Sequence, residues 1–168
     1  MKLTVLGAGR CVTGSKYLLE WKRFSAMVDC GLFQGRKHLR QQNWDPFPVD
    51  PASIDAVLLT HAHLDHIAGL PMLVDTVFDQ RLDSPLEIYT QAETIAALRD
   101  HVFNGVIWPD FTRLPDATDP VLRFNEIVAG DRIADRRNQR LDVEVLAHVG
   151  HARLFEYVAL DLDALVVH

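Results

Sequence analysis

Apolar positions in the first 60 residues fall in short strand-like runs; beyond them, helical spacing alternates with further strand patterns. Residues 2–6 (KLTVL) form a strand candidate that ends at Gly7-Ala8-Gly9. Residues 17–21 and 24–28 flank the polar pair Lys22-Arg23, the pattern of a hairpin. Residues 34–53 are polar and carry Pro46, Pro48 and Pro51, so a long loop is expected there. Residues 56–60 (AVLLT) are a continuous apolar run, as in a strand covered on both faces. Ile67, Leu70, Val74, Val77 and Phe78 then recur at helical spacing, with Pro71 early in that helix, where it does least damage. Residues 86–89 read as a strand, Thr90 and Glu93 as a capping box, and Ile95, Leu98 and Val102 as one face of a helix. Residues 121–127 and 141–146 alternate as strands do. Residues 164–168 (ALVVH) are a last apolar run, either an edge strand or the end of a shortened fold. The order predicts one mixed α/β domain over 1–168, a sheet sandwich with helices packed outside and no dividing linker.

Composition narrows the function classes. The chain has 168 residues, 48% hydrophobic and 24% charged, which is globular and excludes disordered, collagen-like and coiled-coil chains. No apolar run approaches a membrane span of about 20 residues, and the N-terminal apolar stretch is too short for a signal peptide, so no membrane contact is expected. A net charge of −6 means that any nucleic-acid contact rests on a local patch. Two cysteines, Cys11 and Cys30, without C-x-x-C spacing fit a reducing cytoplasm better than a disulfide framework. Both read as small core residues.

Eight histidines are many for this length, and three of them stand in Thr60-His61-Ala62-His63-Leu64-Asp65-His66. Four donors in six residues, between a buried strand and a helix, can converge on one cleft. Imidazole and carboxylate suit Zn²⁺, and also Mn²⁺ or Fe²⁺. His61 and His63 are two apart, so in an extended stretch they share a side. Asp65 and His66 open the helical turn and can serve a second position nearby. One ion per pair, one or two in all, is the natural arrangement. A divalent ion lowers the pKa of the water it binds from about 15.7 to about 7, and an ion pair steadies attacking and leaving oxygens. Bound metal would also let an acidic protein hold a phosphodiester.

AVLLTHAHLDH resembles the signature of the metallo-β-lactamase superfamily. The resemblance implies an αββα sandwich that binds one or two metals between its sheets. It assigns His61 and His63 to the first metal, Asp65 and His66 to the second, and to Asp65 the orientation of the attacking water. Two branches are visible. VTGSKYLLE, VDCGLFQGRK and NWDPFPVDPASIDAVLLTHAHLDHI are similar to the β-CASP branch of RNA-processing nucleases. IAGLPMLVDTVF, ETIAALRDHVFNGVIWPDFTRLP and PVLRF are similar to class II cyclic-nucleotide phosphodiesterases. Both branches cleave phosphodiesters, so the expected substrate is a nucleotide or RNA phosphodiester. The family completes the first metal with a later His, and in the β-CASP branch that His follows a Gly, as His151 follows Gly150. His148 stands close by. DLDALVVH resembles a segment beyond the family's bridging Asp, an alignment that sets His151 in the place of that Asp.

Gly130-Asp131 precedes the third-His region and is out of order for the bridge. Asp161 and Asp163 follow His151 closely in a strand-like run, and His168 ends the chain. The fold is therefore expected to be shortened at its C-terminus. Asp29, before Cys30-Gly31, resembles a family aspartate near the site and reads as a supporting or turn residue. His101 is expected on a helix surface. Trp108 to Phe111 reads as packing more than as a base-stacking wall, and Arg132, Arg136, Arg137 and Arg140 as a solvated face. Three functions follow: a metal-dependent phosphodiesterase, a β-CASP-like ribonuclease lacking that branch's large inserted domain, and a truncated metal-binding domain with little or no activity. The 164–168 edge could pair with a second chain, which leaves a homodimer open.

Overall fold

The computed structural model describes residues 2–9, 11–128 and 131, and beyond these the two-residue strands named below. In chain order the strands are β1 (Lys2–Gly7), β2 (Lys16–Trp21), β3 (Phe24–Val28), β4 (Ala56–Leu58), β5 (Leu86–Thr90), β6 (Pro115–Asp116), β7 (Asp119–Pro120) and β8 (Leu122–Glu126). The short strands β9 (Ile133–Ala134), β10 (Arg140–Leu141), β11 (Glu144–Val145), β12 (Val158–Ala159) and β13 (Val166–Val167) follow. The helices are α1 (Lys37–Gln41), α2 (Leu64–Ile67), α3 (Leu70–Thr76) and α4 (Ala92–His101). The main sheet runs β13-β1-β2-β3-β4-β5-β8. Strands β1, β2 and β3 form an antiparallel meander, β13 lies parallel to β1, and from β3 onward the sheet is parallel.

The hairpin forms where the sequence placed it. Trp21 pairs with Phe24 across Lys22-Arg23, and Lys22 takes φ +56°, the left-handed geometry that two-residue hairpin turns require. Side chains on adjacent strand positions point to opposite faces, so the central strands β3 and β4 feed two cores. Met27, Val57, Leu59 and Ile88 pack against Leu70 and Val74 of α3 and Leu98 of α4. Leu19, Ala26, Ala56 and Leu58 form the second core on the other face, where Ile133 of β9 joins them. The apolar run of β4 is thus explained: the strand lies inside the sheet and is buried on both sides.

Four local expectations are corrected. The helix after the histidine turn is two helices, because Gly69 packs its backbone on Cys30 (N–H to carbonyl 2.7 Å) and Pro71 belongs to the first turn of α3. The 34–53 loop holds α1 and two 3₁₀ turns, the second capped by Asp50 Oδ1 accepting from Ala52 N–H at 3.0 Å. Thr90 caps no helix: it ends β5 and donates its hydroxyl to the Leu59 carbonyl at 2.8 Å, and Gln91 stands at the start of α4. The 141–146 stretch splits between β10, paired with β9, and β11, paired with β12; neither adjoins β4, whose neighbours are β3 and β5. The last apolar run does supply an edge strand, β13, parallel to β1. Among the described residues no helix is long and apolar enough to cross a membrane.

Candidate metal centre

Strands β3, β4 and β5 run parallel, so their C-terminal ends share one rim of the sheet, the usual location of sites in such sheets. Val28 is level with Leu58 at that rim, which brings Asp29 beside Thr60. Asp29 is fully buried and takes φ +58°, a left-handed geometry that a short polar side chain tolerates better than most. Its N–H donates to the Leu58 carbonyl at 2.9 Å. Its Oδ1 accepts from the Thr60 N–H and hydroxyl, both at 2.9 Å, and its Oδ2 from the Ser15 hydroxyl at 2.8 Å and His66 Nδ1 at 2.7 Å. A buried carboxylate is tolerated when its lone pairs are filled in this way.

The turn itself is extended up to His63, which stands at φ −72°, ψ 147°, and then enters α2. His61 and His63 therefore share a side, with His61 Nε2 3.1 Å from His63 Nδ1. Asp65 Oδ2 lies 3.6 Å from His66 Nε2. Two ligands of one tetrahedral ion sit about 3–4 Å apart, so each pair has ligand spacing. The opposite ring atoms are held from behind. His61 Nδ1 lies 3.0 Å from the Thr60 hydroxyl, whose proton goes to Asp29, and so donates to it. His66 Nδ1 donates to Asp29. These bonds set the tautomers and leave both Nε2 lone pairs facing outward. Burial and the neighbouring His66 push the pKa of His61 down, keeping it a neutral donor. Burial also opposes charge on His66, but the Asp29 hydrogen bond, with the charges of Asp29 and Asp65, outweighs it and raises the pKa.

Backbone contacts clamp the turn. The Ser15 N–H donates to the Asp65 carbonyl at 2.9 Å, and the Cys30 N–H to the His66 carbonyl at 2.7 Å. Gly31 lies so close that a Cβ on it would fall 1.6 Å from the Asp65 carbonyl oxygen. Sequence reasoning missed Ser15 and Gly31; the only hint was a Gly following Asp29-Cys30 at a strand end. Thr60→Val removes the hydroxyl behind His61 while keeping the side chain's shape. It is expected to weaken Zn²⁺ binding by about 10–100-fold, with Thr60→Ser restoring it, measured by chelator competition.

The expected donors thus meet as two pairs. Among the described residues no group of three or more His, Cys, Asp or Glu side chains is arranged to hold an ion. A catalytic ion takes about three protein ligands, so each pair needs a further donor. His151, the expected third ligand, lies outside the described residues, as do His148, Asp161, Asp163, His168 and the side chains of Arg132, Arg136, Arg137 and Arg140. His101 is exposed at the end of α4. Asp131 accepts from the Val128 N–H at 2.8 Å, closing a local turn. Trp108 and Phe111 pack on the first core. Cys11 and Cys30 are free thiols, and burial pushes that of Cys30 up to about 12.

Residues 1–144 match the family model of the anti-Pycsar protein Apyc1. Ribonuclease TTHA0252 of Thermus thermophilus is 51% identical over 73 residues, covering 44% of this chain and 16% of that protein. A probable 3',5'-cyclic-nucleotide phosphodiesterase of Yersinia pestis is 34% identical over 107 residues, covering 64% and 27%. The crystal structure of unliganded yeast PDE1 superposes with a TM-score of 0.55 at 19% identity, over 78% of this chain and 51% of that one. The chain therefore spans only a fraction of the length of these relatives.

Proposed function

The chain belongs to the anti-Pycsar protein Apyc1 family and has the metallo-β-lactamase fold, and from that premise we propose that it is a metal-dependent hydrolase of phosphodiesters. The observation that carries the reading is the pair of donor pairs, His61 Nε2 with His63 Nδ1 at 3.1 Å and Asp65 Oδ2 with His66 Nε2 at 3.6 Å. A divalent ion held there would supply a Lewis acid and an activated water at neutral pH. Zn²⁺ suits the donors best, with Mn²⁺ or Fe²⁺ as alternatives, at one or two ions per chain. His61 and His63 would hold the first ion and Asp65 and His66 the second, with His151 proposed to complete the first. Asp65 also has the position to orient the attacking water. Asp29 and Thr60 keep the two imidazoles in the tautomers that leave Nε2 free to ligate.

The substrate class is a cyclic nucleotide or related nucleotide phosphodiester, supported by the names of the Yersinia pestis relative and of the structural neighbour. A ribonuclease is the second reading, favoured by the 51% identity to the Thermus thermophilus protein over the segment that matches. A second copy of the chain pairing along β13, the edge of the main sheet, and a cytoplasmic location compatible with two free thiols complete the proposal. The test is hydrolysis of bis-p-nitrophenyl phosphate, followed by a 3',5'-cyclic nucleotide and a single-stranded RNA. Turnover stimulated by Mn²⁺ or Zn²⁺ and abolished by chelator is the expected outcome. Turnover no greater than that of free metal would make a non-catalytic metal-binding domain the better reading.

A further inference from the structure

A cavity of about 300 Å³ lies behind the metal turn, between α3 and the chain that carries α1. Cys30 and Gly69 line it, yet none of His61, His63, Asp65 and His66 does. Its volume stands at the lower end of small-molecule pockets. Phe33, Phe47, Met72 and Leu73 give it apolar walls.

The cavity also contains Lys16. This side chain belongs to β2, is only 8% exposed, and holds its Nζ 5.4 Å from the centroid of the Phe33 ring. Among the described residues no carboxylate pairs with it. Asp45 lines the same cavity but is exposed and makes no ion pair with Lys16. The Cys30 thiol stays neutral, so it offers no counter-charge. The largely buried Lys16 has no carboxylate beside it to favour its charged form, and burial lowers its pKa accordingly. An anion entering beside Lys16 would favour that form, and the aromatic walls would bury its body.

We propose that this cavity is a second binding site, for a small organic carboxylate with an aromatic or aliphatic body seated against Phe33 and Phe47 and its charge on Lys16. The site is independent of the metal. It adjoins the centre through Ser15, the next residue to Lys16, which bonds both Asp29 and the Asp65 carbonyl.

The probe is 4-phenylbutyrate, titrated into the full chain by calorimetry. Saturable binding is expected, about tenfold or more tighter than that of the neutral 4-phenylbutanol. Lys16→Met, which keeps the apolar stem, should weaken carboxylate binding by about tenfold or more. Met72→Trp, which fills the cavity from its half-exposed rim, should weaken carboxylate and alcohol alike, and Asp45→Asn should tighten the carboxylate a few-fold. Carboxylate captured at the metal turn would be indifferent to all three substitutions, and that result would overturn the proposal. So would the absence of saturable binding up to about 10 mM. Should Lys16→Met fail to fold, Met72→Trp and the alcohol comparison decide.

Discussion

Replacing His61 and His63 together by alanine is expected to strip the protein of the metal proposed to bind there and of the proposed hydrolytic turnover while leaving the fold in place. The two rings stand at the rim of the sheet, His61 half-buried and His63 exposed, and neither belongs to either core. Substitutions away from core packing usually change stability by about 0.5 kcal/mol or less. The chemical effect is far larger. Both nitrogens facing the first position, 3.1 Å apart, are removed at once. An ion held there would make its bound water far more acidic than bulk water, so on the proposed function turnover of bis-p-nitrophenyl phosphate should fall by about 10³-fold or more. Elemental analysis and circular dichroism on the same sample separate the two effects. Unchanged metal stoichiometry in the double variant would sink the assignment.

Gly31→Ala should be nearly as damaging, although Gly31 carries no functional group. Its Cβ would lie 1.6 Å from the Asp65 carbonyl oxygen, 2.2 Å from the carbonyl carbon and 2.8 Å from the His66 nitrogen. All three are backbone atoms of the metal turn, so no side chain can swing away. Either the Asp29-Gly31 segment or the turn must move. The first choice breaks the Cys30-to-His66 hydrogen bond, and the second displaces Asp65 and His66. The expected cost is about 3 kcal/mol, a fall in melting temperature of about 6–12 °C, with loss of metal. Gly35→Ala is the control. Gly35 takes φ +83° with nothing within 4 Å of a Cβ, so alanine there strains the backbone alone. It should cost about 1–2 kcal/mol and leave metal binding unchanged. If Gly31→Ala behaved like Gly35→Ala, the turn would be less tightly clamped than its geometry implies.

Much of the candidate site was legible because its proposed donors are local in sequence. Residues 61–66 lie in one turn, and the switch from extended chain at His63 to helix at Leu64 follows from a buried strand meeting an amphipathic repeat. The i, i+2 relation of His61 and His63 could therefore be read as a shared side before any coordinates. Asp29 was visible as a supporting residue only through its resemblance to a family aspartate. Its four donors come from residues 15, 60 and 66, and no pattern in the sequence connects these.

The elements divide in the same way. The hairpin at Lys22-Arg23 and the buried strand β4 are local patterns, and both stand where expected. Thr90 reads locally as a helix cap, yet the carbonyl of Leu59, just past the end of the neighbouring strand β4, captures its hydroxyl. Residues 67–78 read as one helix, but Gly69 is pinned to Cys30 and the helix breaks there. The sequence by itself thus determined the strand faces, the helix faces and the donor chemistry of the turn, because periodicity and residue type act over a few positions. Only the tertiary structure decided the register of β3 against β4, the tautomers set by Asp29 and Thr60, the fit of Gly31 against Asp65 and the enclosure of Lys16. Each of these depends on segments far apart in the chain, as Asp29 is from His66 and Lys16 from Met72, where strand order and packing, not local preference, fix the distance.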